Sequence, residues 1–132
     1  MREILFRGKR IDNGEWVFGD LIREPWGYCI QVVTGSGNEY SRKKYAITEE
    51  TVGQYTCLTD KNGKRVFEGD ILKIHYFFPD DVTFNLVVFC YYAWCIQQNG
   101  FEPVPACADM ISNISEVVGN IHDNPELMKD EK

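Results

Sequence analysis

The sequence predicts a single, mainly β domain, built as a small antiparallel barrel or sandwich of short strands. Turn signals recur along the chain, and Asn13-Gly14 and Asn62-Gly63 both fit a two-residue type I′ hairpin turn, which needs a positive φ at each central residue. Helical spacing is scarce by comparison. The β-prone runs between the turns are EILFRG, EWVFGDLI, YCIQVV, RVFEGDILKIHYF, VTFNLVVF, YAWCIQQ and EVVGNI.

Length and composition are consistent with one domain and a sizeable core. The chain has 132 residues, of which 44% are apolar and 14% aromatic. A chain of this size buries roughly two-thirds of its unfolded surface, so it needs neither a disulfide nor a metal ion to fold. No low-complexity linker divides it.

The clearest strand pattern spans residues 82–88. Alternation places Val82, Phe84, Leu86 and Val88 on one face and Thr83, Asn85 and Val87 on the other.

Two segments have helical features. Spacing in residues 105–114 puts Ala106, Met110 and Ile114 on one weak stripe. Near the end, Asn124 and Pro125 form a helix start, because asparagine favours the cap position and proline the first helical position. That helix is expected to last only a turn or two before the polar tail KDEK.

The charge argues against a polyanionic ligand. The net charge is −6, so binding to nucleic acid or to an anionic membrane needs a local basic patch. We interpret the small basic clusters as solvated surface. They consist of Arg2, Arg7, Lys9 and Arg10, and of Arg42, Lys43 and Lys44.

We expect a cytoplasmic protein with reduced cysteines and no cofactor or metal. The start MREILFRGKRID has no apolar signal region, and no stretch approaches the roughly 20 apolar residues of a membrane span. The five cysteines form no C-x-x-C pair, and phosphate-binding glycine motifs are absent from the sequence.

An acidic-glycine element occurs twice, as GEWVFGDLI at 14–22 and GKRVFEGDIL at 63–72. We interpret both copies as a hairpin leading into a strand, after which Gly-Asp turns the chain, because glycine tolerates positive φ and aspartate bonds nearby backbone amides. The extra Glu68 in the second copy is typical of a bulge. In the alternative, Glu68 and Asp70 form an acid/base or metal pair.

Aromatic side chains cluster in the second half of the chain. In strands such rings usually fill the core, and the absence of interleaved Lys or Arg argues against stacking on single-stranded nucleic acid. Alternation requires some rings, Tyr91 and Tyr92 among them, to face outward. The group comprises Phe77, Phe78, Phe84, Phe89, Tyr91, Tyr92 and Trp94.

Three segments resemble the YopX protein family of phages and prophages. They are MREILFR at the start, VGQYTCLTDKNGKRVFEGDILKI in the centre and EVVGNIHDNPELM at the end, so the resemblance covers essentially the whole chain. The family usually has glycine where this chain has Cys57. A cysteine there gives no reason to expect a positive φ.

The resemblance implies an SH3-like β-barrel core with additional N-terminal hairpins and a short C-terminal helical turn. The single domain would span 1–132, with the barrel at roughly 51–124 and the hairpins of 1–50 packed on it. The resemblance carries over no catalytic residue and no cofactor. The matching positions serve backbone geometry and form a structural motif: Asn62, Gly63, Glu68, Gly69, Asp70, Gly119, Asn120 and Pro125.

The sequence therefore predicts a non-catalytic phage or prophage accessory protein that binds a protein partner or a second copy of itself, because small barrels with open edges associate through those edges. Nucleic acid is not the expected ligand. Two alternatives stay open. One is a nucleic-acid-binding barrel using the basic N-terminus, and the other is an enzyme using Glu68 and Asp70 with a histidine, His75 or His122.

Overall fold

The computed structural model describes residues 1–76 and 80–129. Predictions that involve Phe77, Phe78 and Pro79, or the tail residues 130–132, lie outside this part of the chain. Within it, strands dominate and all their pairings are antiparallel, so the prediction of a mainly β antiparallel protein is confirmed. None of the helical segments in the described ranges is long and apolar enough to cross a membrane.

The strands are β1 Phe6–Lys9, β2 Trp16–Glu24, β3 Gly27–Ser36, β4 Glu39–Ile47, β5 Gly53–Thr59, β6 Arg65–Phe67, β7 Asp70–His75, β8 Val82–Cys90, β9 Ala93–Gln98, β10 Val104–Pro105 and β11 Ser115–Asn120. Helix α1 spans Ala108–Ile114, and 3₁₀ turns span Glu49–Thr51 and Pro125–Met128. The sheets have the orders β4-β3-β2-β1-β5-β6 and β10-β9-β8-β7-β11. The chain divides into two compact units, Met1–Tyr55 and the remainder from Thr56, and β5 crosses the boundary.

In the N-terminal unit, β1 to β4 follow one another as antiparallel neighbours, and β1 also pairs with the beginning of β5. The chain just after β1 returns to the end of β4, where Arg10 bridges Ile47 and the amide of Ile11 donates to the carbonyl of Ala46 (3.0 Å). This contact brings the residues around Arg10 beside the end of β4.

In the C-terminal unit, α1 and the β7–β8–β9 strands enclose an aliphatic core. Weak helical spacing in 105–114 correctly predicts a helix, although its fully buried residue is Ile111 rather than a member of the predicted stripe. Ala106, Met110 and Ile114 are partly buried against the same core. The core residues are Val66, Leu72, Ile74, Val87, Ile96 and Ile111.

Both faces of strand β8 are at least partly covered, and the face with the more polar side chains is the more deeply buried. Asn85 and Val87 are buried, whereas Phe84 and Leu86 on the other face are half-buried. Asn85 tolerates burial because its side-chain amide donates to the hydroxyl of Thr83 (2.8 Å). Alternation predicts the two faces but not which of them is the more deeply buried.

The Asn-Gly dipeptides lie in hairpin loops wider than the predicted two residues. The first loop is closed by the amide of Arg10 on the carbonyl of Glu15 (2.9 Å), and only Gly14 has a positive φ (73°). The prediction of a two-residue type I′ turn is wrong here. The side chain of Asn13 accepts the backbone amide of Glu15 (2.9 Å), and this hydrogen bond holds a loop of more than two residues.

The second Asn-Gly loop is also wider than the predicted two residues. The amide of Asp60 donates to the carbonyl of Lys64 (2.9 Å), so three residues lie between the bonded pair. Gly63 has φ 78° while Asn62 keeps a negative φ. The carboxylate of Asp60, rather than the turn dipeptide alone, sets this geometry.

Candidate functional site

The carboxylate of Asp60 joins the loop after β5 to strand β11. Its Oδ1 accepts the amides of Asn62 and Lys64, both at 2.9 Å, and its Oδ2 accepts the amide of Val117 at 3.0 Å. The residue is 3% exposed. Three backbone amides on one buried carboxylate make Asp60 the anchor of the predicted motif, although Asp60 is not among the motif residues predicted from the sequence.

The Gly69-Asp70 step is a turn. The Oδ2 atom of Asp70 accepts the amide of Phe67 (2.7 Å), and Gly69 has φ 91°, in the region that favours glycine. The amide of Gly69 donates to the carbonyl of Val87, and its carbonyl accepts the amide of Ile121, both at 2.9 Å. One glycine therefore links β8 to the segment that follows β11.

The first copy of the acidic-glycine element has a different structure. Gly19 and Asp20 lie inside β2, where Gly19 pairs with Phe6 of β1 and Asp20 pairs with Gln31 of β3. The prediction of a Gly-Asp turn in this copy is wrong. Glycine serves another purpose here, because a Cβ at position 19 would collide with the carbonyl oxygen of Gln31.

Glu68 precedes the turn, half-buried, and Asp70 is 2% exposed. His75 ends β7, and His122 is exposed in the turn after β11. In residues 1–76 and 80–129, no group of three or more His, Cys, Asp or Glu side chains is arranged to hold a metal ion. Asp70 directs a carboxylate oxygen at a backbone amide, which is the geometry of a turn.

Asn120 organises the turn after β11. Its side-chain oxygen accepts the amides of His122 (3.0 Å) and Asp123 (2.9 Å). The backbone amide of Asn120 donates to Oδ1 of Asn124 (3.3 Å). This bonding pattern directs the chain into the final 3₁₀ turn.

That 3₁₀ turn begins at Pro125, so the predicted short helical turn is confirmed. Asn124 does not cap it through its side chain, which bonds the amide of Asn120 instead. Gly119 is required by this arrangement, because a Cβ there would lie 2.8 Å from Cγ of Asn124.

Cys57 has a backbone conformation that glycine would favour. Its φ is 69°, although the cysteine gave no reason to expect a positive φ. The hydroxyl of Thr56 donates to the carbonyl of Val66 (2.7 Å) and accepts the amide of Leu58 (3.1 Å), so it bridges across Cys57. The hydrogen bonds of Thr56 fix the path of β5, and Cys57 adopts the φ that this path demands.

The tip of the β8–β9 hairpin carries two tyrosines in the same conformation. Tyr91 and Tyr92 fill the two-residue turn between the paired residues Cys90 and Ala93, with φ of 53° and 64°. The two residues are 72% and 99% exposed. Both tyrosines face outward, as predicted, but they do so because they form the turn and not because of strand alternation. This is the one place in the described chain where adjacent residues share a positive φ.

An aromatic pair lies directly behind this tip. Phe89 packs edge-on against Trp94, with ring centroids 5.1 Å apart, and Phe89 remains 56% exposed. Phe89, Tyr91, Tyr92 and Trp94 together form what we call the aromatic tip. From Val82 to Gln98 the sequence contains no charged residue.

The two basic clusters meet in the N-terminal unit. The guanidinium of Arg10 lies 4.4 Å from the ring centroid of Tyr45, and the ammonium of Lys43 lies 5.2 Å from it. The guanidinium of Arg42 lies 5.2 Å from the ring of Tyr40. The cations cover the rings, as cation–π attraction favours.

Beside these rings lies a shallow depression of about 350 Å³, lined by Arg10, Asp12, Lys43, Lys44 and Tyr45 among others. Arg10 forms a two-pronged hydrogen-bonded pair with Asp12 (2.9 and 2.5 Å), which lowers the pKa of that carboxyl. Lys44 pairs with Glu24 at 3.0 Å, and this contact raises the pKa of the lysine. The depression and these cations form a basic surface on which two carboxylates are already paired, Asp12 in the lining and Glu24 on Lys44.

The sequence matches one known protein family over nearly its whole length. The YopX protein family matches residues 5–129, which is nearly the whole chain. The chain belongs to the YopX protein family. No curated protein matches it.

A solved structure shares the fold of this YopX-family chain. It is the crystal structure of protein EF1440 from Enterococcus faecalis, with a TM-score of 0.67 and 20% sequence identity. The match covers 98% of this chain and 100% of the other. At this identity the likeness shows the fold alone.

The features that sequence reasoning missed are only weakly indicated by the local sequence. Asp60 stands at the start of DKNG, and aspartate is favoured at the first position of a turn. The aromatic tip shows no such signal, because Tyr-Tyr is not a type I′ turn dipeptide. The pairing of Cys90 with Ala93 and the backbone angles reveal that Tyr91 and Tyr92 form the turn.

Proposed function

We propose that this YopX-family protein is a non-catalytic binding module whose ligand is a protein, engaged through the aromatic tip. The observation that carries the proposal is the pair Tyr91 and Tyr92, both exposed and both held at positive φ. A left-handed conformation costs residues other than glycine about 1–2 kcal/mol each. Strain of this kind typically persists where function requires it.

The exposure of the tip argues against a purely structural role. Tyr92 is 99% exposed, so its ring contributes no burial that could offset the backbone cost. Asn-Gly in the same turn would adopt the geometry with less strain. The tyrosines therefore stabilise the isolated protein less than the residues that turns of this type usually contain.

The chemistry of the tip favours a protein ligand. Tyrosine and tryptophan supply large, rigid contact areas at a low cost in conformational entropy and dominate the binding energy of many protein interfaces. Nucleic acid fits poorly, because residues 82–98 offer no cation to a phosphate. The ligand would be a partner protein or a second copy of the chain.

The remaining parts of the proposal rest on the family resemblance. We propose that the protein is a phage or prophage accessory factor acting in the host cytoplasm. We also propose that its C-terminal unit corresponds to an SH3-like core. Within this unit β9, β8, β7 and β11 are antiparallel neighbours in one sheet, which supports this assignment.

Photocrosslinking tests the proposal at the tip. Tyr92 is replaced by p-benzoylphenylalanine, which keeps an aromatic ring, and the matched control places the same group at exposed Glu102. Irradiation of the purified chain tests self-association, and irradiation in extracts of the host cell tests a partner. We expect one discrete adduct from position 92, lost when unlabelled wild-type protein competes.

Adducts that are absent from both samples, or equal at positions 92 and 102, would refute the aromatic tip as the binding site. Competition by Tyr92→Gly protein as effective as that by wild type would refute it as well.

A further inference from the structure

Strand β4 leaves one edge open. It is the end strand of its sheet, and within the described residues only its last positions, Ala46 and Ile47, meet another strand segment on the far side. Residues 39–44 are all exposed. Six residues extend about 20 Å, so the edge offers a row of backbone donors and acceptors long enough for another strand.

The side chains along this edge carry one sign of charge. Between Tyr40 and Ala46 the sequence contains Arg42, Lys43 and Lys44 and no acid. Lys44 is paired with Glu24, but in residues 1–76 and 80–129 no carboxylate pairs with Arg42 or Lys43. Residues 1–55 hold as many basic as acidic side chains, so the net charge of −6 resides in the rest of the chain.

We propose that the open edge of β4 binds an extended, acidic segment of a partner protein, which adds a strand to the sheet. Backbone hydrogen bonds along the edge would supply register, and acidic side chains would pair with Arg42 and Lys43. The proposal concerns residues other than the aromatic tip and holds or fails independently of it.

The carboxylate of Asp12 already lies in the depression and shows that an acidic group fits beside Arg10. Its carboxylate pairs with Arg10 at 2.9 and 2.5 Å while its side chain remains 64% exposed. An acidic side chain of the added strand would meet the same guanidinium beside Lys43. Asp12 thus competes with the ligand, and its removal should strengthen binding.

Peptide fits this surface better than single-stranded nucleic acid. Stacking of bases needs free aromatic faces, but Arg10 and Lys43 lie over Tyr45, and Arg42 lies over Tyr40. Only a polypeptide can satisfy the backbone amides and carbonyls of the edge.

The test uses a fluorescent ten-residue peptide of alternating Glu and Thr as the probe. We expect the wild-type protein to bind the peptide saturably at low salt. The double variant Arg42→Glu/Lys43→Glu should bind at least about tenfold more weakly, and Asp12→Asn should bind about two- to fivefold more tightly. Lys64→Glu, an exposed charge reversal in the other unit, is the matched control and should bind as wild type. Tyr92→Gly should also bind as wild type, which separates this surface from the aromatic tip.

Two further probes separate strand addition from simple charge attraction. A peptide N-methylated at every residue presents no amide donor to the edge, so it cannot form the ladder and should bind at least about tenfold more weakly. Saturating unmodified peptide should slow hydrogen exchange of alternate amides in residues 39–45. Oligothymidylate of equal charge should bind at least tenfold more weakly than the peptide.

No binding of the Glu-Thr peptide, equal affinity of the N-methylated peptide, or unchanged exchange of the β4 amides would overturn strand addition. Binding of oligothymidylate as tight as that of the peptide would overturn the choice of a protein segment.

Discussion

Replacing Cys57 with glycine should stabilise the protein. The φ of 69° at this position costs a residue with a Cβ about 1–2 kcal/mol relative to glycine. Glycine gains more freedom in the unfolded chain, which subtracts about 0.5–1 kcal/mol. The net gain in the free energy of unfolding is therefore about 1 kcal/mol, or a rise of roughly 3–5 °C in Tm.

The structure favours relief of strain over other effects of this change. Cys57 is exposed and forms no disulfide, so the loss of its side chain removes little buried area. The path of the chain is set by Thr56, whose hydroxyl bridges to Val66 and Leu58 and is untouched by the substitution.

Urea unfolding and thermal melts of Cys57→Gly, Cys57→Asn and Cys57→Ala give the assay. Alanine removes the thiol but keeps the Cβ, so it isolates the contribution of the thiol. Asparagine tolerates positive φ better than most residues and should fall between glycine and alanine. Glycine no more stable than alanine would refute the reasoning from backbone strain.

Three further outcomes follow from the motif and the thiols. Asp60→Ala should cost about 3–4 kcal/mol, because three backbone amides lose a buried acceptor, and the drop in urea midpoint measures it. Asp70→Ala should cost about 1–3 kcal/mol while Glu68→Gln stays within about 0.5 kcal/mol; a rise in Tm for both would favour the acidic-pair alternative. In native alkylation followed by mass spectrometry, exposed Cys57 and Cys107 should react well before Cys29, since burial raises the pKa of the Cys29 thiol; equal rates would contradict the buried position.

The sequence predicts most of the strands and the helix because their signals are local, but β4 and β5 lie outside every predicted β-prone run. Runs of β-prone residues, the spacing of residues 105–114 and the Asn124-Pro125 start each depend on a few neighbours. The turn at Gly69 is predicted correctly, but the same Gly-Asp pattern at Gly19 lies inside a strand, so the dipeptide alone does not determine a turn.

Side-chain bonds that join distant segments are less visible in the sequence. Asp60 reaches Val117 across 57 positions, and no local pattern predicts that contact. The loops at Asn13 and Asn62 became wider than predicted because a nearby carboxylate or amide supplied an additional acceptor. In the first acidic-glycine copy, the need for close strand packing at Gly19 replaced the expected turn.

The candidate binding surfaces could be predicted only in part. Composition locates the basic clusters, but their meeting depends on the bridge between Arg10 and Ile47. The outward direction of Tyr91 and Tyr92 is predicted correctly, but it results from the turn they form and not from strand alternation. Their positive φ contradicts turn preferences and needs the structure.

The central claim is that the tyrosine turn is retained for binding and not for stability, and Tyr92→Gly tests it most directly. Because the Tyr92 side chain is 99% exposed, the substitution loses no buried area while relieving a φ of 64°. We predict that the variant melts roughly 3–5 °C higher than wild type and no longer competes for the adduct formed at position 92. A lower Tm together with unchanged competition would contradict the account.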